Sequence, residues 1–156
     1  MKTENDSHHG RSRGFTLIEV VSVVALLAVL LLVALPFYRG YRERVRLAQA
    51  VNDIRAMSAV ATHYWDDNHA YPNSLADIGS DGRLDPWGYP YVYYNIDANG
   101  KGHARKDHAL NPLNTDFDLY SVGADGVTKA QITQKDSLDD VIRASNGAYV
   151  GLATGF

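Results

Sequence analysis
The chain has 156 residues, no cysteine and a net charge of −3, with 46% hydrophobic residues. That length holds one membrane helix and one modest soluble domain but no second core. The acidic balance leaves no electrostatic footprint for nucleic acid, and no disulfide can staple the fold.

The first fourteen residues form a polar leader in which Lys2, Arg11 and Arg13 outweigh Glu4 and Asp6. An apolar run from Phe15 to Leu35 follows, with Glu19 as its one ionisable residue. As a helix rising about 1.5 Å per residue, such a run crosses a hydrocarbon core about 30 Å thick. Arginines at 39, 42, 44 and 46 balance those of the leader, so the distribution of positive charge does not orient the span. A charge at the centre of a membrane helix costs about 2.5 to 3.5 kcal/mol and less near an interface. Glu19, one turn into the run, is either a carboxylate reaching water or a functional group.

Gly14-Phe15-Thr16-Leu17-Ile18-Glu19 followed by an uninterrupted apolar segment resembles the class III signal of type IV pilins and type II secretion pseudopilins. The resemblance implies that a prepilin peptidase cuts after Gly14 and methylates the new N-terminal Phe15. An ordinary secretory signal is cut after its apolar segment and loses it. Here the cut precedes the segment, and the helix stays. The resemblance also pairs Glu19 with the free amine of Phe15 on a neighbouring subunit, which sets axial register in a filament. It places the leader in the cytoplasm and the folded domain in the periplasm.

Beyond the membrane, Leu47, Val51, Ile54, Met57 or Ser58, Ala61 and Tyr64 or Trp65 recur at three- and four-residue steps, the spacing of one buried helical face. The spacing predicts a helix continuing to about Asn68. Pro36 removes a backbone donor and crowds the carbonyl four residues before it, and Gly40 loosens the same region. A kink there and a locally melted segment, the latter implied by the family for assembly, both fit.

Turn formers and aromatics come next. The stretches 71–79 and Leu84-Asp85-Pro86-Trp87-Gly88-Tyr89-Pro90-Tyr91 resemble the helix-to-sheet loop of the major pseudopilins of type II secretion. Strands are predicted at 91–96 and 117–122, with 148–152 as a third or a closing edge. Asn99-Gly100 is a favoured two-residue hairpin turn.

The last third gathers Asp116, Asp118, Asp125, Asp136, Asp139 and Asp140. Asp118-Leu119-Tyr120-Ser121-Val122-Gly123-Ala124-Asp125-Gly126 resembles the opening of the calcium loop in the major pseudopilins. That resemblance makes the Val122 carbonyl, Asp125 and the pair Asp139-Asp140 calcium ligands. Calcium takes six to eight hard oxygens, which carboxylates and carbonyls supply. The intervening stretch 127–138 is longer than the family pattern and carries Lys129 and Lys135. Asp97, Asn99 and Gly102 mimic part of an EF-hand, but Lys101 and His108 stand where oxygen ligands belong.

The histidines show no ligand spacing: His63 and His69 are six apart, on different helical faces, and His8 and His9 leave with the leader. No nucleophile elbow or phosphate-binding glycine loop is present, so no catalytic constellation is expected.

The expected architecture is α+β and pilin-like: a cleaved leader at 1–14, a transmembrane and assembly helix at 15–38, and a periplasmic domain at 39–156 whose small antiparallel sheet lies on the amphipathic half-helix. The expected role, by resemblance, is that of a pseudopilin forming a homo-oligomeric helical filament in the periplasm of a type II secretion system. Its implied partners are the inner membrane, the prepilin peptidase, minor pseudopilins, a platform protein and an assembly ATPase. A pilin or minor pilin of a type IV pilus is the alternative within that class. A membrane-anchored binding module that never polymerises is the alternative outside it.

Overall fold
A computed structural model describes residues 14–156, so the basic residues and histidines of the leader lie outside the described residues. Contacts divide the chain into residues 1–41 and 42–156, and the helix α1 (Leu17–Asn68) contributes to both units. α1 runs unbroken through Pro36, whose missing N–H removes one rung of the ladder without ending it. In the first unit every described residue from Phe15 to Leu35 is exposed, and α1 is long and apolar enough to cross a membrane. Its first turn is held by Thr16, whose Oγ1 accepts from the Glu19 amide at 3.3 Å.

In the second unit α1 buries Ala50, Ile54, Met57 and Ala61, the periodic face, with Leu47 and Val51 packed beside it. That face meets a four-stranded antiparallel sheet in sequential order: β1 (Val92–Asn95), β2 (Phe117–Ser121), β3 (Val141–Ala144) and β4 (Tyr149–Leu152). Side chains of a strand alternate between faces. Phe117, Leu119 and Val141 join the α1 core, while Ile142 and Ala144 join Leu113, Ile132 and Ala153 in a second cluster. The sheet is therefore covered on both sides. α1 lies on one face, and the long connections around 104–113 and 128–140 lie on the other. That double cover explains why all four residues of β3 are buried and none shows the polar alternation of an exposed strand.

Two expectations are corrected here. Asn99-Gly100 is not a hairpin turn, because β1 pairs with β2 and Asn95 faces Phe117. Instead Asn95 caps a single helical turn, α2 (Ile96–Asn99), its side chain accepting from the Ala98 amide at 2.9 Å. The second correction is β3, which occupies a stretch read from sequence only as the flank of an acidic pair. The 148–152 stretch is β4, an edge strand paired to β3.

Candidate functional site: the helix start and the C-terminal loop
Gly14, Phe15, Thr16 and Glu19 line one surface hollow at the start of α1. The helical turn thus sets the Glu19 carboxylate beside the expected cleavage bond, in the exposed and largely apolar segment 15–35. A carboxylate on such a surface is costly once water is excluded and gains from a cationic partner.

In the second unit the loop of the Asp-Pro-Trp-Gly segment is built around Asp85, which is buried. Its Oδ1 accepts from the amides of Trp87 at 3.0 Å and Tyr89 at 2.9 Å, and its Oδ2 accepts from the Ser121 hydroxyl. One carboxylate therefore shapes the turn and ties it to β2. Trp87 Nε1 donates to Glu43 Oε2 at 3.0 Å, and Arg83 pairs with Asp53, so the same loop also grips α1.

The acidic residues of the last third divide into separate groups. Asp139 Oδ2 accepts from the amides of Ala124 at 2.7 Å and Asp125 at 3.1 Å, and Asp125 Oδ1 accepts from the Val127 amide at 2.8 Å. These bonds close the 122–127 turn and tie it to Asp139. Gly123, at φ +71°, lies so close to Asp139 that a Cβ would stand 2.5 Å from its carbonyl oxygen. Asp140, next in sequence, is fully buried and directed elsewhere: Arg105 Nη2 donates to its Oδ2 at 2.6 Å, and the Thr128 hydroxyl donates to the same oxygen at 2.6 Å. Burial pushes the Asp140 carboxyl up, and the Thr128 and Arg105 contacts pull the other way. Asp116 pairs with Arg143, and Asp118 accepts from the Arg105 amide at 2.6 Å and from Asn114 at 2.8 Å. Burial likewise raises the Asp118 carboxyl above its ordinary value.

Among the described residues no three His, Asp or Glu side chains stand where they could share a metal ion. The carried-over calcium set of Val122, Asp125, Asp139 and Asp140 does not fit a calcium ion as these residues are placed. Asp139 and Asp125 are engaged by backbone amides, and a resident guanidinium already neutralises Asp140. A divalent cation taken up at Asp140 would face the fixed positive charge of Arg105.

The residues that carry this network were not legible as site residues. Arg105 and Arg143 lie far in sequence from the carboxylates they pair with; Arg105 and Asp140 are 35 positions apart and Arg143 and Asp116 are 27. Among the histidines, His63 Nδ1 lies 3.2 Å from Asp67, and His103 packs edge-on to Tyr94.

A family model described as the prokaryotic N-terminal methylation motif matches residues 9–35, which span the Gly14–Phe15 bond and Glu19. The type II secretion system core protein G of Pseudomonas aeruginosa is 31% identical over 134 residues, covering 72% of this chain and 84% of that protein. The Escherichia coli K12 protein of the same name is 28% identical over 137 residues, covering 74% and 84%. The fimbrial protein EcpC of Eikenella corrodens is 33% identical over 67 residues, covering 43% and 44%. No solved structure matches the chain at a significant level. With the N-terminal motif, the long helix, the four-stranded sheet and relatives that match over most of their length, the chain belongs to the type II secretion system core protein G family, the major pseudopilins.

Proposed function
We propose that the chain is a structural subunit: cut between Gly14 and Phe15, methylated on Phe15, held in the inner membrane by the apolar half of α1, and then added to copies of itself in a periplasmic pseudopilus that moves proteins across the outer membrane. The observation that carries this reading is the helix surface from Phe15 to Leu35. It is apolar but for Thr16, Ser22 and one carboxylate beside the cleavage bond, and it is exposed along its whole length in the single chain. Lipid covers such a surface in the membrane, and sister helices cover it after extraction. Glu19 then takes the Phe15 amine of a neighbour as its counter-charge, because neither charge is tolerated alone in an apolar bundle.

The chain itself contributes packing rather than chemistry. Peptidase, platform protein, assembly ATPase and minor pseudopilins act on it, and it binds no nucleotide. The fimbrial relatives support the shared N-terminal mechanism but cover less than half of this chain, whereas the core protein G relatives extend over the soluble domain as well. Mass spectrometry of the protein from its own cells tests the processing, with a mature chain starting at methyl-Phe15 expected. Electron microscopy of sheared periplasmic filaments from cells overproducing the subunit tests the assembly. An unprocessed chain, or a processed one that stays monomeric beside its complete secretion machinery, overturns the reading.

A further inference from the structure
The buried ion pair between Arg105 and Asp140 takes up one of the four residues that the family resemblance makes calcium ligands, and turns it away from the 122–127 turn where Asp125 and Asp139 lie. The side chain of Arg105 is 4% exposed and that of Asp140 is fully buried. The arginine does more than neutralise one carboxylate. Its backbone amide donates to Asp118 on β2, its Nη1 donates to Thr128 in the long loop, its Nη2 donates to Asp140 just before β3, and its guanidinium lies 4.3 Å over the Tyr120 ring. One residue thus reaches β2, the 127–138 stretch and β3. The remaining polar atoms of the pair, Arg105 Nε and Asp140 Oδ1, are buried without partners and belong to opposite charges of the same pair. The Arg105–Asp140 pair carries no net charge, and a divalent ion added at Asp140 would bring further positive charge next to a guanidinium.

We propose that the Arg105 guanidinium serves as this chain's internal replacement for a structural cation, closing the long loop onto the sheet so that the domain folds and stays folded without calcium. A divalent ion gathers oxygens from chain segments that are distant in sequence. A planar guanidinium with five fixed donors gathers carboxylate and hydroxyl oxygens in the same way, and it is never lost to a chelator. The departure seen in the sequence has a structural counterpart. Thr128 and Ser137 fold the 127–138 stretch back on itself, with Ser137 Oγ accepting from the Lys129 amide at 2.8 Å, and the stretch delivers Thr128 to Arg105 and Asp140.

The test uses the full processed chain in detergent micelles, melted by circular dichroism in excess calcium and in excess EGTA and titrated with calcium by calorimetry. A ligand bound by the folded state alone would raise the melting temperature as its concentration rises. The expected result is one melting temperature in both solutions, within about 1 °C, and no saturable calcium binding. Arg105→Met should lower the melting temperature by at least about 10 °C, because it strands a buried carboxylate, and calcium should not restore it. A lower melting temperature in EGTA, a saturable one-to-one calcium isotherm, or an Arg105→Met variant that melts with the parent protein each overturns the proposal. Should Arg105→Met not accumulate, the chelator comparison on the unsubstituted chain decides the matter alone.

Discussion

The phenol of Tyr91 donates to Asp53 Oδ2 at 3.0 Å, which joins the residue just before β1 to the middle of α1. Arg83 holds the other oxygen of the same carboxylate, so three segments meet on Asp53. Tyr91→Phe keeps the ring in the core and removes only this bond. The expected cost is about 1 kcal/mol, read from denaturant unfolding of the full chain in micelles. An unchanged midpoint would show that the bond adds nothing to the packing of the ring.

The same pair sets an alkaline limit. Burial first, and the nearby Asp53 second, push the Tyr91 hydroxyl well above the ordinary phenol range, and burial does the same at Tyr93. A raised folded value means that the unfolded chain ionises first as pH rises. The stability from these phenols is complete below pH of about 10 and is lost as pH climbs through their folded values. Unfolding midpoints should therefore hold steady from neutrality to about pH 9.5 and then fall, less steeply in Tyr91→Phe. A parallel fall in both proteins would remove Tyr91 from the account.

Arg143 is nearly buried, pairs with Asp116 at 2.6 Å and stacks 3.9 Å above the Phe117 ring. Asp116→Ala leaves that guanidinium without its counter-charge inside the sheet. The expected loss is about 3 kcal/mol, well above the median for an exposed pair. Chemical denaturation measures it, and a loss under about 1 kcal/mol would mean that water reaches Arg143 in the variant.

Gly123→Ala tests the turn that precedes Asp125. The residue sits at φ +71°, and its new methyl would collide with the Asp139 backbone, which cannot swing aside as a side-chain end can. A loss of at least about 2 kcal/mol is expected, from the left-handed conformation and the clash together. A variant as stable as its parent would show that the loop repacks freely around 139.

Glu19→Ala should leave insertion and cleavage intact and abolish filaments. Removing the carboxylate makes the helix easier to insert, so a failure of insertion is not expected. Immunoblots of membrane fractions and microscopy of sheared filaments separate the two steps, and normal filaments would count against the proposed pairing with Phe15.

Much of the helical architecture was legible because one period governs it. Ile54, Met57 and Ala61 of the periodic set are buried with Leu47 and Val51 beside them, Ala50 joins them unread, and the long apolar run needs no partner to be recognised. β2 was equally plain, with Phe117 and Leu119 inward along a five-residue strand. β3 was not, because only four residues separate Asp140 from Ser145, which turns at φ 53°, and cover on both faces erases the alternation that marks a strand. Asn99-Gly100 misled for a local reason: the Asn95 cap makes a helical turn that competes with a hairpin. The acidic residues were visible as a cluster in composition, yet their partners were not, since Arg105 and Asp140 are brought together only by the completed sheet.

The order of strands along the chain bears on how the domain comes into being. Val141, Ile142, Ala144 and Ala153 fill both cores, so the interior is finished only when the last stretch of polypeptide arrives. Until then the cluster of α1, Leu75, Tyr91, Phe117 and Leu119 lacks Val141, and Arg143 has not yet reached Asp116. A chain made in amino-to-carboxyl order therefore completes this interior only with its last two strands, and shortening it before position 141 would remove residues from both cores.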